Sequence, residues 1–467
     1  MNISDLETCI KSGLTGHLIG IGGVSMSPLA EVLSKMGVKI SGSDLNDSET
    51  VHHLKSLGIE VKTGSHKAEN IAGAGFIIRT AAAREDNAES AAARAAGLPV
   101  FERAEAWGHI MRGYEHAVCV AGTHGKTTTT SMMTHILMAS GKDPTVMIGG
   151  TLPKLKSGYH IGSGDVIVLE ACEYYNSYHN FFPTVAVILN VDVDHIDFFK
   201  SLDDVKTSFR TFASLVPETG AIVCNSDDQN TMDALRPLGR ELQTFGFGAD
   251  AKVRAVNIVT VGRNSSLDVL LDGEFYCHLN LSVPGRHNIL DALAATAAAI
   301  ALHIPPDAIT EGFSDFVGAG RRFEYKGSLN GACVYDDYAH HPYELKNLLD
   351  MVSTLGYRRI LLAFQPHTYT RTNALFDDFI AELGRADHVF LADIYAAREK
   401  NTIGISSKDL AAKVTNADYC PTFEDMERRI RRMAGAGDII LTVGAGDIYK
   451  VGEKLTAEPD SERANVV

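Results

Sequence analysis

The chain has 467 residues, of which 45% are hydrophobic and 22% charged, the composition of a folded, water-soluble chain with length for about three domains. Its 43 Lys+Arg stand against 58 Asp+Glu, and the net charge of −15 excludes wholesale wrapping of nucleic acid while leaving room for a local basic pocket. The most apolar helical stretch, Ala292 to Leu302, is too short for a bilayer and contains Thr296, so no membrane insertion is expected.

Short β-type runs alternate with helical patterns from end to end, the mark of an α/β chain built on parallel sheets with crossover helices. The first block, residues 1–113, opens with Met1 to Lys11, where Asp5 and Glu7 speak against a secretory leader. A strand over Gly16 to Ile21 leads through a glycine turn into a helix near Pro28 to Met36. A second strand, Val38 to Ser43, ends at Asp44. Further runs at Gly75 to Thr80 and Pro99-Val100, and a helix over Arg103 to Met111, complete the block. Gly20-Ile-Gly22-Gly23-Val-Ser25 after a strand, with Asp44 ending the next, reads as a Rossmann-like nucleotide-diphosphate site, with Ser25 in place of the last glycine. On these residues alone NAD and a UDP-sugar are both open, since either pyrophosphate uses the glycines and the helix N-terminus.

The second block, 114–317, starts with the strand His116 to Ala121 and the loop Gly122-Thr123-His124-Gly125-Lys126-Thr127, followed by a helix over Thr128 to Ala139. Backbone N–H groups of such a loop converge on phosphate oxygens, with Lys126 on the β- and γ-phosphates and the Thr127 hydroxyl on Mg²⁺. The spacing G-x-x-G-K-T is two residues shorter than the usual Walker loop. Strands over Asp165 to Glu170 and Val185 to Asn190 bring Glu170 and His195 to the same rim, where carboxylate, imidazole and phosphate oxygens suit a divalent cation. A strand over Gly220 to Asn225 follows. From about Thr244 to Val283 the alternation predicts an antiparallel excursion, closed by an Ala-rich helix after Pro284.

The third block, 318–467, has strands over Ala332 to Asp336, Arg359 to Phe364, His388 to Ala392 and Asp438 to Val443, and a polar tail after Lys454 that reads as disordered. Asp336, Asp337, Tyr338, His340 and His341 end one strand and His367 and Arg371 the next, placing them side by side around one crevice. Zinc is the competing chemistry for these histidines. The seven cysteines, from Cys9 to Cys420, include no C-x-x-C pair and read as reduced thiols of a cytoplasmic protein.

Several strings resemble the Mur ligase family: Gly122-Thr-His-Gly-Lys-Thr-Thr-Thr-Thr130, Glu170-Ala-Cys-Glu173-Tyr174, Asn190 with Asp194-His195, and Pro284-Gly-Arg-His287-Asn288. The likeness continues at Gly320-Arg321-Arg322-Phe323, Asp336-Asp337-Tyr338-Ala339-His340-His341-Pro342, Phe364-Gln-Pro-His367-Thr-Tyr-Thr-Arg371-Thr and Gly444-Ala-Gly-Asp447-Ile. It spans about His17 to Tyr449. It implies a Rossmann-like UDP-binding domain, a P-loop-type ATP-binding domain with a mostly parallel sheet, and a Rossmann-like amino-acid domain. The last two strings resemble the alanine-adding branch. They imply ATP-dependent ligation of L-alanine to the carboxylate of UDP-N-acetylmuramate in peptidoglycan synthesis, through an acyl phosphate. A peptide-recycling ligase of the same family and an NAD-dependent oxidoreductase are the alternatives.

By resemblance, ATP meets Gly122, Thr123, His124, Gly125, Lys126, Thr127, Thr128, His287, Asn288, Asp337 and Tyr338, and Arg321 or Arg322 reaches phosphate. UDP-sugar meets Gly20, Gly22, Gly23, Ser25, Met26, Asp44, His66 and the Thr80-Ala81-Ala82 segment. Thr127, Glu170 and His195 hold Mg²⁺, and both glutamates of the Glu170–Glu173 string are retained. Lys126, Glu170, His195, His340 and Arg371 are the catalytic set. Alanine lies among His340, His341, His367 and Arg371. Many relatives carry Asp and Ser where this chain has Cys172 and Tyr174. Many also carry Arg where it has Thr368, so Arg371, His367 or His340 carries more of the amino-acid binding here. His340 or a nearby acid takes the amine proton. The chain is expected to close about a hinge at Gly318 to Arg322 and to act as a monomer or weak homo-oligomer.

Overall fold

The computed structural model describes residues 3–80, 83, 86–195, 198–397 and 399–457. Among these, three sheets account for the strands. The first runs Glu60–Thr63, Ile40–Asp44, Gly16–Ile19, Phe76–Arg79, Val100–Glu102, and every neighbouring pair is parallel. Its chain order reverses between Gly16–Ile19 and Phe76–Arg79, so a crevice opens at their carboxyl ends, where Gly20 and Thr80 lie.

The second sheet has ten strands, centred on His116–Ala121 with Val166–Ala171 on one side and Val185–Ile188 on the other, both parallel to it. Leu18, Val118, Val168 and Val187 and their neighbours are fully buried, as strands covered by helices on both faces require. Beyond Val185–Ile188 come Ala221–Asn225 and Gln243–Gly246, still parallel, and only from Val253–Val261 onward do the strands pair antiparallel, with Asn264–Leu271 and Glu274–Leu281. The antiparallel excursion therefore starts later than the alternation from Thr244 predicts. Gln243–Gly246 is too short for its period to separate the two pairings. A hairpin over Thr145–Leu152 and Ser157–His160, absent from the sequence reading, extends the other edge.

The third sheet runs Glu324–Leu329, Ala332–Asp337, Asp438–Val443, Arg359–Phe364, His388–Leu391, Ala417–Tyr419. Asp438–Val443 lies between Ala332–Asp337 and Arg359–Phe364 and is parallel to both, so the strands that carry His340 and Arg371 are not side by side. The apolar run Asp438–Val443 is buried at every position, which fits the middle of the sheet. A last helix, Tyr449–Thr456, buries Val451 and Leu455 and carries the chain past Lys454, where a disordered tail was expected. The remainder of that tail, from 458, and Ala81 and Ala82 lie outside the described residues.

One apolar cluster runs through the first two units, joining Phe76, Phe101 and Trp107 to Tyr178, Phe181 and Phe209. The third unit has clusters of its own on each face of its sheet. Its joint to the second is largely polar: Gly320 N–H donates to Thr151 O at 2.7 Å, His124 and Glu344 are 3.1 Å apart, and Arg371 meets Asp194 at 2.8 Å.

Where the first and second units pack, Gly108 in the helix Arg103–Met111 leaves no room for a side chain. A Cβ there would sit 1.9 Å from the Asn180 carbonyl oxygen. Alanine in mid-helix is favoured over glycine by about 0.5–1 kcal/mol, but overpacking costs about 1–3 kcal/mol. Gly108→Ala should therefore lower the unfolding midpoint. A midpoint at or above that of the parent chain in a thermal melt would contradict this packing.

Candidate active site

The loop after His116–Ala121 is shaped by two glycines. Gly122 and Gly125 have φ of +150° and +89°, and a Cβ on Gly125 would come within 2.5 Å of Asp291 Oδ1. Asn190 pins the loop from the neighbouring strand end: its Oδ1 accepts from His124 N–H at 2.8 Å and its Nδ2 donates to His124 O at 3.0 Å. Thr123 N–H donates to Asn190 O at 3.2 Å and its hydroxyl accepts from Asp192 N–H at 2.9 Å. The helix Lys126–Ala139 begins at Gly125 with no side-chain cap. Its first N–H groups are left for an anion, as the P-loop reading requires.

The structure brings Lys126 to Glu173, the second glutamate of the retained string, which the resemblance ties to metal binding. Lys126 Nζ lies 3.1 Å from Glu173 Oε2 and donates to Thr123 O at 3.1 Å and to Gly122 O. Burial works against the charge on Lys126, but Glu173 outweighs it and drives the pKa up. Glu173 is 2% exposed and also lies 3.8 Å from His195 Nε2. The His195 ring stacks on Tyr174 with centroids 4.3 Å apart. Glu170 Oε1 accepts from Gly149 N–H at 2.6 Å, and burial pushes its pKa up against that bond, Lys126 and the Thr127 hydroxyl. A half-buried carboxylate in this state is short of positive charge. With the Thr127 hydroxyl beside it, it offers hard oxygen donors that fit a divalent cation completed by phosphate oxygens.

A cavity of about 280 Å³ opens beside the loop, between the second and third units. His124, Gly125, Thr128, His287, Asn288, Arg322 and Asp337 line it, while Lys126 and Thr127 lie outside its wall. Burial lowers the His287 pKa to about 4 and raises that of Asp291 to about 8, so both are neutral near pH 7 and can exchange hydrogen bonds with an uncharged base. Of Arg321 and Arg322, Arg322 faces the cavity. Arg321 spends its donors inside the third unit, on Asp336 at 2.9 Å, Gly446 O at 3.0 Å and Gly444 O at 2.6 Å. Tyr338 packs against both, with guanidinium carbons 4.9 and 5.1 Å from its ring centre. Asp337 accepts from Phe323 N–H and Ala339 N–H, both at 2.8 Å, and burial lifts it to about 6.

In the third unit, Arg371 is turned toward the second sheet. Nη2 donates to Asp194 Oδ1 at 2.8 Å and Nη1 to His367 O at 3.1 Å. His340 and His367 face each other edge-on at 5.6 Å, and burial lowers both to about 4. His341 serves as the cap of the helix Pro342–Ser353, its Nδ1 accepting from Tyr343 N–H at 3.2 Å. Glu344 completes that cap, accepting from His340 N–H at 2.9 Å and His341 N–H at 3.2 Å, and its other oxygen is 3.1 Å from His124. The sequence reading missed Glu344, although a residue followed by proline and then by glutamate three positions on is a capping-box signal.

At the first crevice, Gly20 has φ +76° and Gly22 N–H donates to Asp44 Oδ2 at 2.9 Å, so Asp44 holds the turn. Gly23 O accepts from Met26 N–H at 2.9 Å. The Met26 side chain is buried in the core, and Ser25 accepts from Arg103 through its hydroxyl and from Trp107 Nε1 through its carbonyl at 3.3 Å. Behind His66 lies a feature the sequence does not announce. Glu89 is fully buried and takes Ser43 Oγ at 2.6 Å, Asn70 Nδ2 at 2.7 Å, His66 Nδ1 at 3.1 Å and His17 Nε2 at 3.2 Å. In sequence Glu89 looks like an ordinary acid in the first turn of a helix, favoured there by the dipole.

Three segments match Mur ligase profiles: residues 15–115 the "Mur ligase family, catalytic domain", 120–299 the "Mur ligase middle domain" and 321–446 the "Mur ligase, glutamate ligase domain". The chain belongs to the Mur ligase family. Within it, the chain is 43% identical over 441 residues to the UDP-N-acetylmuramate–L-alanine ligase of Clostridium novyi (strain NT), an alignment covering 94% of this chain and 96% of that protein. It is 44% identical over 445 residues to the enzyme of the same name from Agathobacter rectalis, covering 94% and 97%. Among solved structures, the UDP-N-acetylmuramate-alanine ligase of Thermotoga maritima superposes with a TM-score of 0.79 at 28% identity, covering 97% of this chain and 99% of that one. A murein peptide ligase from Psychrobacter arcticus shares the fold at a TM-score of 0.69 and 22% identity, covering 97% and 99%.

Burial opposes ionisation of Glu89, but its hydrogen bonds from His17, Ser43, Asn70 and His66 bring its pKa down from 4.5 to about 2. Its folded pKa is depressed, so its contribution to stability is full above pH 4.5 and is lost as the pH falls from there to about 2. Glu89→Gln should lower the melting midpoint at pH 7 and flatten its dependence on pH in that acid window. An acid limb as steep as the parent's would place its origin elsewhere.

Proposed function

We propose that this chain joins L-alanine to the carboxyl group of UDP-N-acetylmuramate at the expense of ATP, releasing ADP and phosphate. The observation that carries the reading is the convergence of an uncapped glycine loop with its lysine, the buried Glu173 beside it and an interdomain arginine, in a chain over 40% identical to enzymes of that name across nearly its whole length. Residues 1–113 hold the UDP-sugar, 114–317 ATP, and 318–467 the amino acid. An enzyme that consumes ATP and a nucleotide sugar works in the cytoplasm. No helix among the described residues is long and apolar enough to cross a membrane.

The muramate carboxylate attacks the γ-phosphorus of ATP and forms an acyl phosphate. Lys126 leaves Glu173 for the phosphate oxygens and offsets their charge as it redistributes. Thr127, Glu170 and His195 hold Mg²⁺, which supplies charge neutralisation at the phosphates when bound. The alanine amine then attacks the acyl carbon, the tetrahedral intermediate collapses and phosphate leaves. Arg371 holds the amino acid's carboxylate, a planar match for a guanidinium that an ammonium group does not reproduce.

Phosphate release is measured with ATP, UDP-N-acetylmuramate and each amino acid in turn. Alanine should support the fastest turnover, EDTA should abolish it and Mg²⁺ restore it. Lys126→Ala should lower kcat by at least about 10²–10³ in a folded protein. Near-normal turnover in that variant overturns the phosphate-loop assignment, and preference for a tripeptide over alanine identifies a recycling ligase instead. Arg371→Lys should raise the KM for alanine strongly with little change for ATP, and Thr368→Arg should lower the alanine KM. An unchanged alanine KM in Arg371→Lys means that the carboxylate is held elsewhere.

A further inference from the structure

Asp194 enters none of the roles above, yet it occupies the point where the amino-acid and phosphate sites meet. It follows the strand Val185–Ile188 in the second sheet, while Arg371 sits in the helix Tyr369–Ala374 of the third unit. Their side chains are 12% and 11% exposed and join at 2.8 Å across the two units. We propose that Asp194 and Arg371 form the recognition pair for an α-amino-acid zwitterion, Arg371 taking the carboxylate and Asp194 the ammonium group. The proposal rests on the reading that Arg371 meets the carboxylate of the amino-acid acceptor.

Three features of the geometry support it. The first is charge: a zwitterion carries one charge of each sign, and this pair presents the two complements in a nearly dry site. Binding exchanges one ion pair for two and leaves no charge without a partner. The second is how the two carboxylate oxygens are used among the described residues. Asp194 Oδ1 accepts from His195 N–H at 2.7 Å as well as from Arg371, while Oδ2 makes no hydrogen bond among the described residues and has only His195 Nε2, at 4.0 Å. Three other acids are committed. Glu344 serves the cap of its helix and His124, Glu399 accepts from Thr370 N–H at 2.9 Å, and Glu173 holds Lys126. The third is place. Asp194 precedes His195, which reaches Glu173 at 3.8 Å, which reaches Lys126 at 3.1 Å. An ammonium group on Asp194 therefore lies toward the phosphoryl groups, where the amine must find the acyl carbon, while the carboxylate on Arg371 points away from them.

The test separates the two halves of the ligand. Phosphate release is followed at saturating ATP and UDP-N-acetylmuramate with alanine varied, and inhibition is measured with propionate, which lacks the ammonium group, and ethylamine, which lacks the carboxylate. Asp194→Asn keeps the size of the side chain and the bond from His195 N–H. It should raise the alanine KM by at least about 30-fold, weaken ethylamine, leave the ATP KM near its parent value, and leave inhibition by propionate at least as strong as in the parent. Arg371→Lys should weaken propionate and spare ethylamine. If Asp194→Asn weakens propionate as much as alanine, Asp194 only orients Arg371 and the proposal fails. It fails equally if the alanine KM is unchanged. Should Asp194→Asn not fold, the comparison is made on Asp194→Glu, whose displaced charge must raise the alanine KM while propionate inhibition persists; an unchanged alanine-to-propionate ratio overturns the assignment. Absence of alanine-dependent phosphate release in the parent chain removes the reading beneath the proposal, and it is seen before any variant is made.

Discussion

The charges of the candidate active site gather where buried strands leave their sheets. His116–Ala121, Val166–Ala171 and Val185–Ile188 are parallel neighbours with apolar residues facing both ways, and an ion in mid-strand would be stranded without water. The polar residues therefore gather on one rim: Gly122 to Lys126 after the first strand, Glu170 to Glu173 at the second, Asn190 to His195 beyond the third. Parallel order is what makes this possible, because all three carboxyl ends point the same way. The third sheet repeats the arrangement, with Tyr338 to His341 and His367 after strands flanking Asp438–Val443.

Several buried charges, on these rims and in the first unit, have partners. Lys126 has Glu173, Arg371 has Asp194, Glu344 has His124, and Glu89 has four donors. Such pairs add little net stability, since desolvation offsets most of the attraction, but removing one partner is costly. Their value here is that a pair can be exchanged for a ligand of the same charge. The joints between units follow the same division. The first two share a continuous apolar cluster, which cannot be opened without exposing hydrocarbon. The second and third meet largely through ion pairs and a backbone bond, which water or substrate can replace.

Much of this was legible in the chain. Unbroken apolar strands, the glycine loop with Lys126 and Thr127, and the acids and histidines at strand ends mark both the α/β fold and the rim, because strand burial and loop chemistry are set by residues within a few positions of one another. Where local pattern ran out, the reading slipped. The strand Gln243–Gly246 falls in the stretch that reads as antiparallel, and the tail after Lys454 reads as disordered although the helix Tyr449–Thr456 runs past that point, its buried Val451 and Leu455 having meaning only against the sheet they cover.

The sequence by itself determined the element types, the glycine turns that demand positive φ, and the chemical kind of each site residue, all of which depend on backbone sterics and side-chain identity over short spans. Only the tertiary structure decided partners. It placed Asp438–Val443 between the strands of His340 and Arg371, sent Arg322 rather than Arg321 to the cavity, buried Glu89 behind His66 and joined Arg371 to Asp194. Those pairings cross from 23 to 177 residues of chain. A contact of that kind is selected by which charge is left unpaired when the sheets are packed, a quantity that no stretch of sequence contains until the fold has closed around it.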